Sequence, residues 1–218
     1  QFRIRISSIE PNLLSEDIIN LTAQSDKLCK HFHIPLQSGS SRILKLMQRR
    51  YSTYDYKKVI DNVKNKISDA GIGVDVIVGF PGEDENEFQT TFNFINQLPV
   101  SYLHVFTYSE RPDTKAISFP GKVDVAIRRE RNNMLRILSA KKKNTFFNQM
   151  IGSEQQVLFE TEDAGNIKGF SSNYIRVQNQ FMPELENHFV KVKLAANSIE
   201  YCIGEIVDTK KSIDLLAS

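Results

Sequence analysis

One stretch constrains the fold of this 218-residue chain more than any other: Ile72-Gly-Val-Asp-Val-Ile-Val-Gly-Phe-Pro-Gly-Glu83. A nearly continuous apolar run bounded by glycines reads as a parallel strand covered on both faces, which requires helices packed over its sheet. The flanks supply them. Upstream, the pattern predicts a helix from about Tyr54 to Ala70, stopped by Gly71. Downstream, Glu83, Asp84, Glu85 and Glu87 precede Phe88, Phe92, Ile95 and Leu98, whose spacing marks one buried helical stripe ended by Pro99. A further strand over Ser101 to Ser109 and a long helix from about Val123 to Met150 follow. Before the run, Phe2, Ile4 and Ile6 alternate with Arg3 and Arg5 as in a strand. Ser15, with Glu16 and Asp17 behind it, opens a helix carrying Ile18, Ile19, Leu21 and Leu28. A short strand, His31 to Leu36, then leads through Gln37-Ser-Gly-Ser-Ser41 to a helix ending near Arg49 and Arg50. Strand and helix alternating in this order predict a parallel α/β sheet with right-handed crossovers.

The pattern changes at Gly152. Short alternating segments separated by polar turns, with no helical period, predict a small barrel or sandwich, so the chain divides into residues 1–150 and 151–218. Charge divides with it: 22 Lys and Arg against 16 Asp and Glu in the first part, a net +6, and 6 against 10 in the second, a net −4. Phosphate contacts are therefore expected mainly from the first part. The joining helix, with Arg128, Arg129, Arg131, Arg136 and Lys141 to Lys143, is its most basic stretch, although such a run on a helix is commonly a solvated face. With 40% hydrophobic and 25% charged residues, disorder and coiled coil are excluded. No run reaches the roughly 20 apolar residues of a membrane span and the start lacks a signal-peptide pattern, so the expected compartment is the cytoplasm. Cys29 and Cys202 fit no cluster, zinc or disulfide spacing, and the four histidines share none, so no metal ligand is assigned.

Four strand ends carry polar chemistry. At the end of the apolar run, Gly79, Phe80, Pro81 and Gly82 form a turn where a ligand ring or phosphate can approach the backbone, at the sheet edge where α/β proteins bind ligands. A turn needing glycine for its geometry alone accounts for the same residues. Gln37 and Ser38 offer an amide and a hydroxyl after the preceding strand, and Ser40 or Ser41 suits a helix cap. Ser8 and Glu10 follow the first strand, and a carboxylate there suits ribose hydroxyls. Tyr108 and Arg111 follow the last, suited to stacking and phosphate, unless Glu110 and Arg111 simply form a surface pair. In the small domain, Phe170, Asn173 and Tyr174 mark a turn of the kind that stacks on single-stranded RNA.

In order and spacing, Arg3 to Pro11, His33 to Leu44, Val76 to Glu83 and Tyr108 to Pro112 resemble the radical S-adenosylmethionine methylthiotransferases, and the likeness runs through the whole chain. The resemblance implies the C-terminal half of an open parallel (β/α) radical barrel followed by a small all-β TRAM domain that binds RNA. Ser7 to Pro11 and Phe106 to Pro112 look most like the branch acting on N6-threonylcarbamoyladenosine beside the anticodon of tRNA. The branches acting on isopentenyladenosine or on a ribosomal protein stay open. Family members carry two [4Fe-4S] clusters on cysteines that this sequence lacks. The resemblance therefore implies a portion of a longer enzyme, inactive alone, with an uncovered first strand able to self-associate. On this likeness, S-adenosylmethionine would meet Ser8, Glu10, Gln37, Ser38, Arg49 and the Gly79 to Gly82 backbone with Phe80 and Pro81. Tyr108 and Arg111 would meet substrate, and Phe170, Asn173 and Tyr174 RNA. An unrelated nucleotide-binding enzyme and a non-catalytic RNA-binding module are the rival classes, and neither accounts for all four motifs together.

Overall fold

The computed structural model describes residues 2–207. The end of the expected second part, residues 208–218, lies outside them. Four strands, β1 (Ile4–Ile6), β2 (Leu28–His33), β3 (Gly71–Val78) and β4 (Tyr102–Thr107), form one parallel sheet in the order β1-β2-β3-β4. Between and after them run α1 (Glu16–Gln24), α2 (Ser41–Leu46), α3 (Thr53–Lys66), α4 (Glu85–Gln97) and α5 (Val125–Met150). Each helix start follows from local chemistry. The Ser15 hydroxyl accepts from the Ile18 N–H, Ser52 and Asp55 close a reciprocal capping box, and the Asp84 carboxylate accepts from the Glu87 N–H.

Boundaries differ from the sequence pattern where side chains override it. Leu28 opens β2 instead of closing α1, whose backbone leaves helical geometry at Ser25. β2 is assigned only to His33, yet its pairing with β3 continues through the Ile34 and Leu36 N–H groups, skipping Pro35, which has none. α3 stops at Lys66, four residues before Ala70, and the Lys64 ammonium binds the Ala70 carbonyl at 2.6 Å, tying down the descent into β3. α5 begins at Val125 because Asp124 caps it.

The expectation that β3 is covered on both faces is corrected. Ile72, Val74, Val76 and Val78 are fully buried with Tyr56, Ile60 and Val63 of α3, Phe88 and Ile95 of α4 and Leu135 and Leu138 of α5 in one core. The alternate residues Asp75 and Ile77 are only half-buried, on a face no helix covers. That open face explains a carboxylate inside an otherwise apolar strand.

The second part is a closed five-stranded barrel in the order β5-β6-β7-β9-β8, from β5 (Glu154–Asp163), β6 (Asn166–Ser171), β7 (Arg176–Gln180), β8 (Phe189–Asn197) and β9 (Cys202–Ile206). β6, to which Phe170 belongs, has no counterpart in the sequence pattern, whereas the expected turn falls just after it at Ser172 and Asn173. Gly169 made it illegible: a side chain there would meet the Leu158 carbonyl at 2.1 Å, so only glycine lets β6 lie this close to β5. α5 serves both cores, giving Leu135 and Leu138 to the first and Phe146, Phe147 and Met150 to the second. No helix among the described residues is long and apolar enough to cross a membrane. Leu135→Ala is expected to destabilise the protein by about 2–5 kcal/mol in urea unfolding, as for a buried leucine that leaves a cavity. A loss well under 1 kcal/mol would show that α5 is not packed on the sheet as described.

Candidate functional site

The turn after β3 is held from α5. Gly79 and Gly82 have φ of +78° and +88°, backbone geometry that favours glycine. The Gly79 N–H donates to Glu83 Oε1 at 2.8 Å, and the same oxygen accepts from Arg131 Nη1 at 3.0 Å. Arg131 also donates to the Glu83 carbonyl at 2.8 Å and to Glu85 at 3.1 Å. Burial pushes the Glu83 carboxyl's pKa upward, while the Gly79 N–H and Arg131 pull against that rise. Arg128 lies against Gly79, where an added side chain would meet its Cγ at 2.3 Å. Its guanidinium donates to the carbonyls of Val123 and Tyr108 and, at 2.7 Å, to Glu110. Two residues of the basic helix are thus buried supports rather than solvated charges or phosphate contacts. Glu110 pairs with Arg128, not with Arg111, so the simple surface pair is corrected.

This scaffold borders a cavity of about 540 Å³ at the C-terminal ends of β3 and β4, on the open face of the sheet. Ile77 and Phe106 form its floor, with Arg49, Phe80, Tyr108 and Arg111 around it. Phe80 meets the Tyr108 ring edge-on, with centroids 5.2 Å apart. The Tyr108 hydroxyl and Arg49 Nε are both buried and have no hydrogen-bond partner. Arg49 Nη1 reaches Glu10 at 3.3 Å, which draws the end of β1 toward the same cavity. Arg111 is exposed.

The remaining candidates lie elsewhere. Gln37 sits next to Val76 with φ +69°; its N–H donates to the Asp75 carbonyl and its carbonyl accepts from Ile77. A non-glycine residue in this region is strained, and such strain concentrates where a side chain must be aimed. Ser38 is buried, its hydroxyl shared between Thr91 and the Ser40 N–H, so it offers nothing to a ligand; Ser40 is the helix cap. Pro81 is buried in the turn and Ser8 is exposed.

At the opposite end of the sheet, Phe170 and Tyr174 stack with centroids 4.6 Å apart and planes 12° from parallel. Arg5 lies 4.4 Å over Tyr174 and Arg3 4.7 Å over Phe189, so β1 and the barrel together line a second cavity of about 540 Å³. His31, beside Tyr174, is pushed down to about 3 by burial, and the arginines are left as that groove's cations. Asn173 is corrected: it is buried, its amide donating to the Asp69 carbonyl at 3.0 Å and its oxygen accepting from Ser171, and it clamps barrel to sheet. Arg3 and Arg5 went unassigned because alternation in a strand says nothing of what lies across from it.

Residues 1–95 match the model of the radical SAM superfamily. The chain is 37% identical to the threonylcarbamoyladenosine tRNA methylthiotransferase MtaB of Aquifex aeolicus, over 84% of this chain and 43% of that protein. It is 35% identical to the enzyme of the same name from Bacillus subtilis, over 94% of this chain and 47% of the relative. It is equally 35% identical to the tRNA-2-methylthio-N(6)-dimethylallyladenosine synthase of Endomicrobium trichonymphae, over 94% and 49%. The resemblance read from the motifs is thereby borne out: the sequence is similar to radical SAM tRNA methylthiotransferases over most of its length. The chain spans about half the length of these relatives.

Gly79→Ala is expected to cost about 1–3 kcal/mol for the collision with Arg128, on top of about 1–2 kcal/mol for the left-handed backbone. Gly152→Ala, at φ +86° with open space around it, should show only the second cost. Equal losses in denaturant unfolding would mean that Arg128 does not rest on Gly79. The Arg128 hydrogen bond holds Glu110 down to about 2 from an ordinary 4.5, so its stabilisation is present above pH 4.5 and lost as pH falls through about 2. The melting-temperature gap between wild type and Glu110→Gln should be constant above pH 4.5 and close below it.

Proposed function

We propose that this chain is the portion of a tRNA methylthiotransferase that positions S-adenosylmethionine at the cavity above β3 and β4 and grips RNA through its barrel. One observation carries the cofactor assignment: Tyr108 and Arg49, each with a buried polar atom that has no partner, line a cavity floored by Ile77 and Phe106 and walled by Phe80. An adenosyl cofactor fits that donor set, with an apolar wall for its base and donors for its polar end. Bound there and given one electron by a reduced iron–sulfur cluster of the complete enzyme, it would supply a carbon radical able to take hydrogen from an unactivated carbon. This chain's residues do the rest by positioning. Phe80 walls the adenine and Arg49, oriented by Glu10, meets the methionine carboxylate, while Gln37 and Ser8 stay at neighbouring strand ends outside the cavity lining.

Iron–sulfur clusters do not fit the described residues. Cys29 lies in β2 and Cys202 in the barrel core, where burial pushes its thiol up to about 11, whereas such clusters take up to four thiolates. We assign both [4Fe-4S] clusters of the complete enzyme to sequence outside these 218 residues. This portion alone is then expected to be inactive.

Of the two modified adenosines named among the relatives, we favour the threonylcarbamoyl form. Its carboxylate matches the exposed Arg111 guanidinium at the cavity rim, which an isopentenyl group would leave unused. The small barrel we read as a TRAM domain, with residues 1–150 and 151–218 as the two units, acting on the anticodon stem-loop in the cytoplasm. Its groove supports this: Phe170, backed by Tyr174, has one face not taken by that stack, and Arg3 and Arg5 restore the positive charge that the acidic barrel lacks. We also expect the open edge of β1, with Phe2 and Ile4 exposed, to promote self-association, against which a concentration-independent monomer in light scattering would count.

The test uses the longer natural gene product, reconstituted with iron and sulfide without oxygen. Arg49→Ala is expected to weaken S-adenosylmethionine binding while leaving tRNA binding intact; unchanged cofactor affinity in that variant sinks the assignment. Arg5→Ala should weaken tRNA binding and lower its log-log salt slope by about 1, and an unaltered slope would remove the groove from the RNA path.

A further inference from the structure

His33 in β2, Asp75 in β3 and His104 in β4 come from three adjacent parallel strands, with Asp75 and His104 in direct register. One ligand-capable atom from each lies within 4.8 Å of the other two. His33 Nε2 is 2.8 Å from Asp75 Oδ1, and His33 Nδ1 is 2.9 Å from the Ser7 carbonyl. A carbonyl only accepts, so Nδ1 is the nitrogen that carries a proton there, and Nε2 is aimed at Asp75. An imidazole fixed by a backbone carbonyl, with its other nitrogen presented to a carboxylate and a second imidazole, is the outer-shell arrangement of metal-binding histidines.

We propose that His33, Asp75 and His104 form a site for a divalent cation of the zinc class. Two imidazoles and one carboxylate suit Zn²⁺, Co²⁺ or Fe²⁺ and leave at least one coordination position open. Magnesium and calcium, which take oxygen ligands, fit this set poorly. The ion binds His33 Nε2, Asp75 Oδ1 and a nitrogen of His104, any proton on those atoms leaving to solvent as it binds; no electron is transferred. Asp75 neutralises one of its two charges. No thiol belongs to the site, which separates it from iron–sulfur ligation, and it does not rest on the methylthiotransferase reading. Ile77 and Phe106 stand two residues further along the same strands, about 7 Å away, so the ion would sit one layer beneath the cavity with its open position on the uncovered face.

The 218-residue chain, stripped of metal, is titrated with Co²⁺ as an optical probe. A single equivalent is expected to raise visible d–d bands of a nitrogen–oxygen site, and Zn²⁺ to abolish them. His104→Ala and Asp75→Asn should each weaken Co²⁺ binding by at least about tenfold, the scale on which even outer-shell partners act. Cys29→Ser should leave the affinity unchanged. Because His104 is exposed, His104→Ala should keep the wild-type unfolding midpoint, which separates lost ligation from lost folding. The proposal is overturned if no saturable single-equivalent binding occurs, if affinity survives in both ligand variants, or if the bands disappear in Cys29→Ser.

Discussion

Everything at the C-terminal edge of the sheet depends on one buried ion pair. Glu83 is fully enclosed and Arg131 nearly so, and between them they fix the Gly79 N–H, the Glu83 carbonyl and the start of α4. Removing one member of such a pair strands a charge in a low-dielectric interior, at a cost on the order of 3–5 kcal/mol. Arg128, one turn earlier on α5, extends the same support to Tyr108 and Glu110. The cavity walls are therefore set by a helix whose arginines face inward, and Tyr108 and Arg49, which line the cavity, each keep a buried polar atom without a partner.

Much of this architecture was legible before any coordinates. The β3 run, the capping serines, the stripe of α4 and the switch to short alternating strands after Gly152 each have a local cause, and local causes survive folding. What stayed hidden was pairing across distance. Arg128 and Arg131 sit in a run that reads as a solvated face, because charge spacing on a helix does not reveal a buried carboxylate 48 residues away. Ser38 and Asn173 looked like ligand groups because a free amide and one already spent on a carbonyl have the same sequence. Asp75 was the overlooked signal: a carboxylate within an apolar strand marks a face that the helices do not cover, and His33 and His104 gather around it only once the register is known.

The barrel's negative charge illustrates the same limit. Summed over residues 151–218, the charge argues against binding a polyanion, yet the barrel's aromatics face β1, which brings Arg5 over Tyr174 and Arg3 over Phe189. Net charge per segment is a property of the chain, whereas the field a ligand meets belongs to a surface built from both segments.

α5 places one rigid element in both hydrophobic interiors. At 26 residues it is about 39 Å long, with Leu135 and Leu138 anchored beneath the sheet and Phe146, Phe147 and Met150 plugging the barrel. A strut shared in this way transmits torque. Any rotation of the barrel about the shaft would be felt at Arg128 and Arg131, and so at the Gly79 turn, giving the molecule a mechanical linkage between its two ends.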